Sequence, residues 1–120
     1  PVYAYRFDQT PPFPAGTPYA GWGPAHFAEL WYMLGGLDQA PWPWSEGDRR
    51  LSAAMVGYWT NFVRTGDPNG GGLPTWPAFE DRNPQVQALR DPVTATGVQR
   101  PAQMRAFDAA YDILRGARPR

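Results

Sequence analysis

The chain has 120 residues, 42% hydrophobic and 15% aromatic, enough for one ordinary domain with a buried core. Its 11 Arg balance 11 acidic residues, so no polybasic stripe is present to release counterions, which argues against nucleic acid as a partner. Without Cys there are no disulfides, thiolate metal sites or cysteine catalysis, and apolar runs broken by 15 Pro and 13 Gly fall short of the ~20 residues of a membrane span.

That Pro and Gly content alone suggests disorder, but six Trp, six Tyr and six Phe set in periodic patterns point to irregular, packed loops. The absence of Lys and the single Ile mark a GC-rich, bacterial coding sequence and carry no chemistry. The opening Pro1-Val2-Tyr3 has neither initiator Met nor leader and reads as a point inside a longer chain.

Val2 to Asp8 is β-branched and aromatic, stops at Thr10-Pro11-Pro12, and predicts one sheet strand whose partners the chain does not supply. Thr10 to Pro24 predicts a long loop leading to His26, with a short helix over Phe27–Leu34 that stops at Gly35-Gly36. Leu37 to Trp44 is again loop. Ser45 and Asp48 form a capping box, and Leu51, Met55, Tyr58, Trp59, Phe62 and Val63 follow at helical spacing until Gly66. Asp67 to Gly72 is a turn by its chemistry. Val86 to Leu89 predicts a short strand, and Pro101 opens a last helix with a Met104, Phe107, Tyr111, Leu114 stripe closed by Gly116 and Pro119.

His26 is the single histidine, the side chain whose pKa suits acid/base work at neutral pH. Its place, in a Gly- and Pro-rich loop immediately before a helix, is anchored yet accessible. A structural histidine is the competing reading, because a catalytic imidazole needs an orienting acid and a reacting group. Trp42-Pro43-Trp44 reads either as a ligand platform or as a loop pinned by two indoles. Asp67 and Asn69 begin a calcium-loop pattern, but Ala78 stands where the pattern needs Glu, and no metal site is expected.

The segment Gly23-Pro24-Ala25-His26-Phe27-Ala28-Glu29-Leu30-Trp31-Tyr32-Met33-Leu34-Gly35 resembles the histidine block of type-B carboxylesterases, the carboxylesterase/cholinesterase family. A second block, from Asp48 through Tyr58-Trp59 and Asn61-Phe62 to Thr65-Gly66-Asp67-Pro68-Asn69-Gly70, resembles that family's helix and Thr-Gly-Asp-Pro-Asn signature, with Trp76-Pro77 following in order. The resemblance covers nearly all of the chain. It implies that residues 1–120 are the C-terminal part of an α/β-hydrolase domain: one sheet strand, the histidine loop and two main helices.

The resemblance further implies a carboxylic-ester hydrolase with a Ser-Glu-His triad, acting on a small-molecule ester without a cofactor, in which His26 is the catalytic histidine. Trp22, Phe27 and Trp31 would line the substrate pocket or pack in the core. Glu29, one helical turn on, would support the helix start by accepting loop backbone hydrogen bonds. The only serines, Ser45 and Ser52, lack the flanking glycines of a nucleophile elbow, so nucleophile and acid are expected upstream, in the rest of the same hydrolase. The last helix would pack on its own domain or on a second copy as a homodimer. Two other readings stand beside this one: a non-catalytic cholinesterase-like binding or adhesion protein, and a small aromatic-rich binding module.

Overall fold

The computed structural model describes residues 1–116. Its elements are β1 (Tyr5–Phe7), α1 (Glu29–Met33), a 3-10 turn (Leu37–Gln39), α2 (Glu46–Thr65), β2 (Gln85–Leu89), β3 (Thr94–Gly97) and α3 (Pro101–Leu114). The sheet order is β1-β2-β3, with β1 parallel to β2 (Tyr5 opposite Gln87) and β3 antiparallel to β2 (Gln87 opposite Ala95). The architecture is α/β, as expected: β1 and β2 fall within or against the strands read at Val2–Asp8 and Val86–Leu89, and β3 is added to them.

The strand predicted without a partner therefore has one inside the chain. The alternating Gln85 and Gln87 had weakened the signal of β2, yet Gln87 is fully buried and its amide Nε2 donates to Tyr58 Oη at 3.2 Å. The ladder of β1 is shorter than Val2–Asp8 because the Val2 carbonyl is taken by the Phe79 N–H (2.7 Å), outside the sheet. The strand β3, polar and short, follows a cis Asp91–Pro92 bond and was not anticipated.

The longest helix, α2, forms as its sequence dictates. Ser45 Oγ accepts from the Asp48 N–H (3.1 Å), the Asp48 carboxylate accepts from the Ser45 N–H (2.8 Å), and Gly66 ends the helix at φ 77°. Leu51, Met55 and Tyr58 are buried, and with Tyr32, Leu37, Trp76 and Leu89 they form the core. Phe62 and Val63, predicted to continue the stripe, are exposed: the last turn of α2 has only an edge contact with Tyr3 beneath Phe62. After Gly66 the turn is held by side chains: Asn69 Nδ2 donates to the Trp76 carbonyl (3.0 Å) and Asn69 Oδ1 accepts from the Trp76 N–H (2.7 Å). Trp76 Nε1 then donates to the Ala4 carbonyl at 3.0 Å, tying the turn to β1.

The helix α3 runs from Pro101 as predicted, but Met104, Phe107, Tyr111 and Leu114 are all exposed and no residue of α3 is buried. Gly116 is left-handed at its end, whereas Pro119 lies outside the described residues.

One buried carboxylate organises these elements. Asp48, 3% exposed, accepts at Oδ1 from Tyr32 Oη (2.7 Å) and Gln9 Nε2 (2.9 Å), and at Oδ2 from Ser45 N and Oγ. Burial alone would raise its pKa, but the hydrogen bonds from Ser45, Tyr32 and Gln9 outweigh it and hold the carboxyl below the usual range. Burial and the same carboxylate push the Tyr32 phenol far above its ordinary 10.0.

Replacing Asp48 with Ala leaves the buried Tyr32 hydroxyl, the half-buried Gln9 amide and the two donors of Ser45 without this acceptor, and we expect a loss of roughly 2–4 kcal/mol in urea unfolding at pH 7. Because the folded pKa of Asp48 is depressed, its contribution is complete above pH ~4 and disappears as pH falls below that. The stability gap between wild type and Asp48→Asn should accordingly narrow in unfolding curves taken from pH 7 down to pH 3; a gap that stays constant would contradict the linkage.

Candidate active site around His26

The long loop from Thr10 is a succession of tight turns rather than open coil: the Thr17 N–H donates to the Pro14 carbonyl (3.2 Å), Ala20 to Thr17 (3.1 Å) and Trp22 to Tyr19 (3.1 Å). Left-handed Gly21 and Gly23 permit the reversals. The last turn carries His26. The Ala28 N–H donates to the Ala25 carbonyl (3.0 Å), which places His26 and Phe27 at the two central positions, and the Leu30 N–H then donates to the Phe27 carbonyl (3.2 Å) as α1 begins.

Phe27 has φ 70°, so it cannot be the first residue of a helix, and α1 starts at Glu29 instead of the predicted Phe27. A positive φ at the third residue of a turn normally calls for Gly or Asn, so no sequence signal marked this position. The imidazole is exposed and its centroid lies 4.0 Å from that of the Phe27 ring, at a 44° tilt.

His26 opens onto a pocket of about 260 Å³ whose other walls include Phe13, Tyr19, Trp22, Phe27, Trp31 and Trp42. All three aromatics singled out in the sequence, Trp22, Phe27 and Trp31, reach it. Phe13 and Tyr19 were not anticipated; the signal available was their place as loop aromatics just ahead of the histidine. The walls brace one another, Tyr19 against Trp22 at 5.4 Å, Phe13 against Trp42 at 5.2 Å and Trp31 against Trp42 at 5.0 Å. Among the described residues no Asp, Glu or Ser lines this pocket, whose surface apart from the imidazole is mainly aromatic.

The Trp42–Trp44 cluster divides its roles. Trp44 packs on the core with Nε1 donating to the Ala40 carbonyl (3.1 Å), pinning the loop, while Trp42 joins the pocket wall. Glu29 departs from expectation: the start of α1 has no side-chain cap, and among the described residues the Glu29 carboxylate accepts no loop backbone hydrogen bond. The first turn of a five-residue helix, opened by the left-handed Phe27, presents its N–H groups to the preceding turn instead. What Glu29 contributes is charge: after burial, it is the second cause that raises the Tyr5 phenol.

Both serines are engaged elsewhere. Ser45 caps α2, and Ser52, buried, donates from Oγ to the Tyr32 carbonyl at 2.9 Å. Asp67, the start of the calcium-like pattern, spends Oδ1 on the Asn69 N–H (2.9 Å) and Nδ2 (2.8 Å), and these bonds hold its carboxyl below the usual range.

Comparison with known proteins places this arrangement. The model of the carboxylesterase family matches residues 1–107, from the strand before the histidine loop to the middle of α3. Carboxylesterase 4A of Bos taurus is 35% identical over 112 residues, which cover 89% of this chain and 19% of the relative. Bile salt-activated lipase of Rattus norvegicus is 32% identical over 102 residues, 82% of this chain and 16% of the relative. A solved PNB esterase superposes with a TM-score of 0.71 at 27% identity, covering 88% of this chain and 21% of that one, so the three-stranded sheet and its helices are the C-terminal portion of an α/β-hydrolase fold. The chain thus spans about a fifth of the length of the proteins it matches, and within that span it belongs to the carboxylesterase family.

Proposed function

We propose that residues 1–120 form the C-terminal segment of a serine carboxylesterase and supply it with His26, the general base of a Ser-Glu-His triad whose serine and glutamate lie outside these residues. The observation that carries this reading is the exposed imidazole of His26, presented by a tight turn at the mouth of an aromatic pocket with no carboxylate, Arg or Ser among its described lining residues. The occupied Ser45 and Ser52 support a nucleophile from elsewhere.

In this reading the serine attacks the ester carbonyl while His26 takes its proton, and His26 returns that proton to the departing alcohol. A water, deprotonated by His26 in turn, then releases the acid and restores the serine. The upstream glutamate fixes the imidazole's tautomer and stabilises the imidazolium, and no cofactor is needed. Trp22, Phe27 and Trp31 bound the apolar part of a small-molecule ester, which suits the aromatic walls. Glu29 remains a structural neighbour, acting through its charge near β1. The apolar face of α3 packs on the remainder of the hydrolase or on a second copy of the chain.

In the complete enzyme His26→Ala should lower kcat for a small aryl ester by roughly 10⁴- to 10⁶-fold while the thermal unfolding midpoint stays near that of wild type. Retained hydrolysis in a folded His26→Ala protein would refute the assignment and favour a binding protein that keeps the fold without the chemistry.

A further inference from the structure

Phe27 is the one feature of the site whose cost stability does not explain. A non-glycine residue at φ 70° carries strain of order 1–3 kcal/mol, and within the described residues Phe27 is 62% exposed, so little burial there offsets it. The same loop uses Gly at its other left-handed positions, Gly16, Gly21 and Gly23. A glycine at 27 would satisfy the backbone equally well and remove only the ring. The ring must therefore do something that the backbone does not, and it lies against the His26 imidazole, centroid to centroid 4.0 Å.

A consecutive pair on a regular strand points to opposite faces, and on a helix the two side chains diverge by about 100°. The left-handed Phe27 puts both rings on one side of the turn. An exposed imidazole with two free torsions sweeps several ångströms between rotamers, whereas proton transfer needs it within about 0.5 Å of one placement. A face of six carbons at 4.0 Å removes rotamers on that side and leaves both ring nitrogens open to polar partners.

We propose that Phe27 is a positioning residue for His26, its ring packed at a tilt against the imidazole and held there by the left-handed backbone so that the histidine keeps one orientation through proton transfer. The inference rests on the reading of His26 as the general base. It differs from a role in substrate contact, because a positioning residue acts on every ester alike.

The test uses the complete enzyme, three aryl esters of increasing acyl size, and the variants Phe27→Gly, Phe27→Tyr and His26→Ala. Phe27→Gly keeps the backbone conformation and should lower kcat by about 10- to 100-fold, by a similar factor for all three esters, beside any rise in KM from the lost pocket wall. Phe27→Tyr, which retains the ring, should bring kcat back to within a few-fold of wild type. Should Phe27→Gly fold poorly, Phe27→Asn provides a second ring-free residue that tolerates the left-handed region. Wild-type kcat in a folded ring-free variant, or a loss confined to KM and graded by acyl size, overturns the positioning role while His26→Ala remains inactive. Activity in His26→Ala overturns the underlying reading instead.

Discussion

The histidine loop, α1 and the start of α2 are held together by the Asp48 carboxylate. It is buried without a cation and is satisfied by four hydrogen bonds alone, a state that persists only when every donor is held in place. Those donors come from the end of β1 (Gln9), from α1 (Tyr32) and from the cap of α2 (Ser45). Gln9 extends the network with its Oε1, which accepts from the Asp91 N–H just beyond β2 at 3.3 Å. The last turn of α1, the start of α2 and, through Gln9, the ends of both parallel strands therefore meet around one side chain.

The same oxygen closes the histidine loop. Gln9 and Tyr32 both donate to Oδ1 of Asp48, and the loop that carries His26 runs between them. A segment so rich in Pro and Gly has a large entropy to lose, and fixing both ends on one acceptor removes part of it. The aromatic pocket is then assembled between fixed points, with Trp44 on the core side setting the position of Trp42. Stability and site geometry thus share a cause, although Asp48 has no part in the chemistry proposed for His26.

How much of this was legible depended on whether the signal was local. The capping box of Ser45 and Asp48, the Leu51–Met55–Tyr58 stripe and the Gly66 stop are local, and α2 came out as read. The second duty of Asp48, gathering Gln9 and Tyr32 across 39 and 16 residues, leaves no local trace. The strand β2 was legible only in part, as Val86–Leu89, because its buried Gln87 looks like a loop residue until Tyr58 is seen to hold its amide. At the site, His26 and its aromatic surroundings were visible from residue type and order, but the left-handed Phe27 was not, because a bulky residue there contradicts turn propensity. Glu29 misled for the opposite reason: a carboxylate in a first turn fits the dipole argument well, and the helix proved too short to use it as a cap.

The unburied α3 has a consequence for how the molecule comes apart. With no side chain in the core, a helix of 14 residues draws its order from local terms such as Pro101 at its first turn, and helices of that length are marginal in water. Within the described residues it is energetically decoupled from the Asp48 network, so its amides would exchange with solvent through fraying while those of α2 wait for global opening. Whatever covers the apolar face of α3 can thus come and go without disturbing the histidine loop that Asp48 holds.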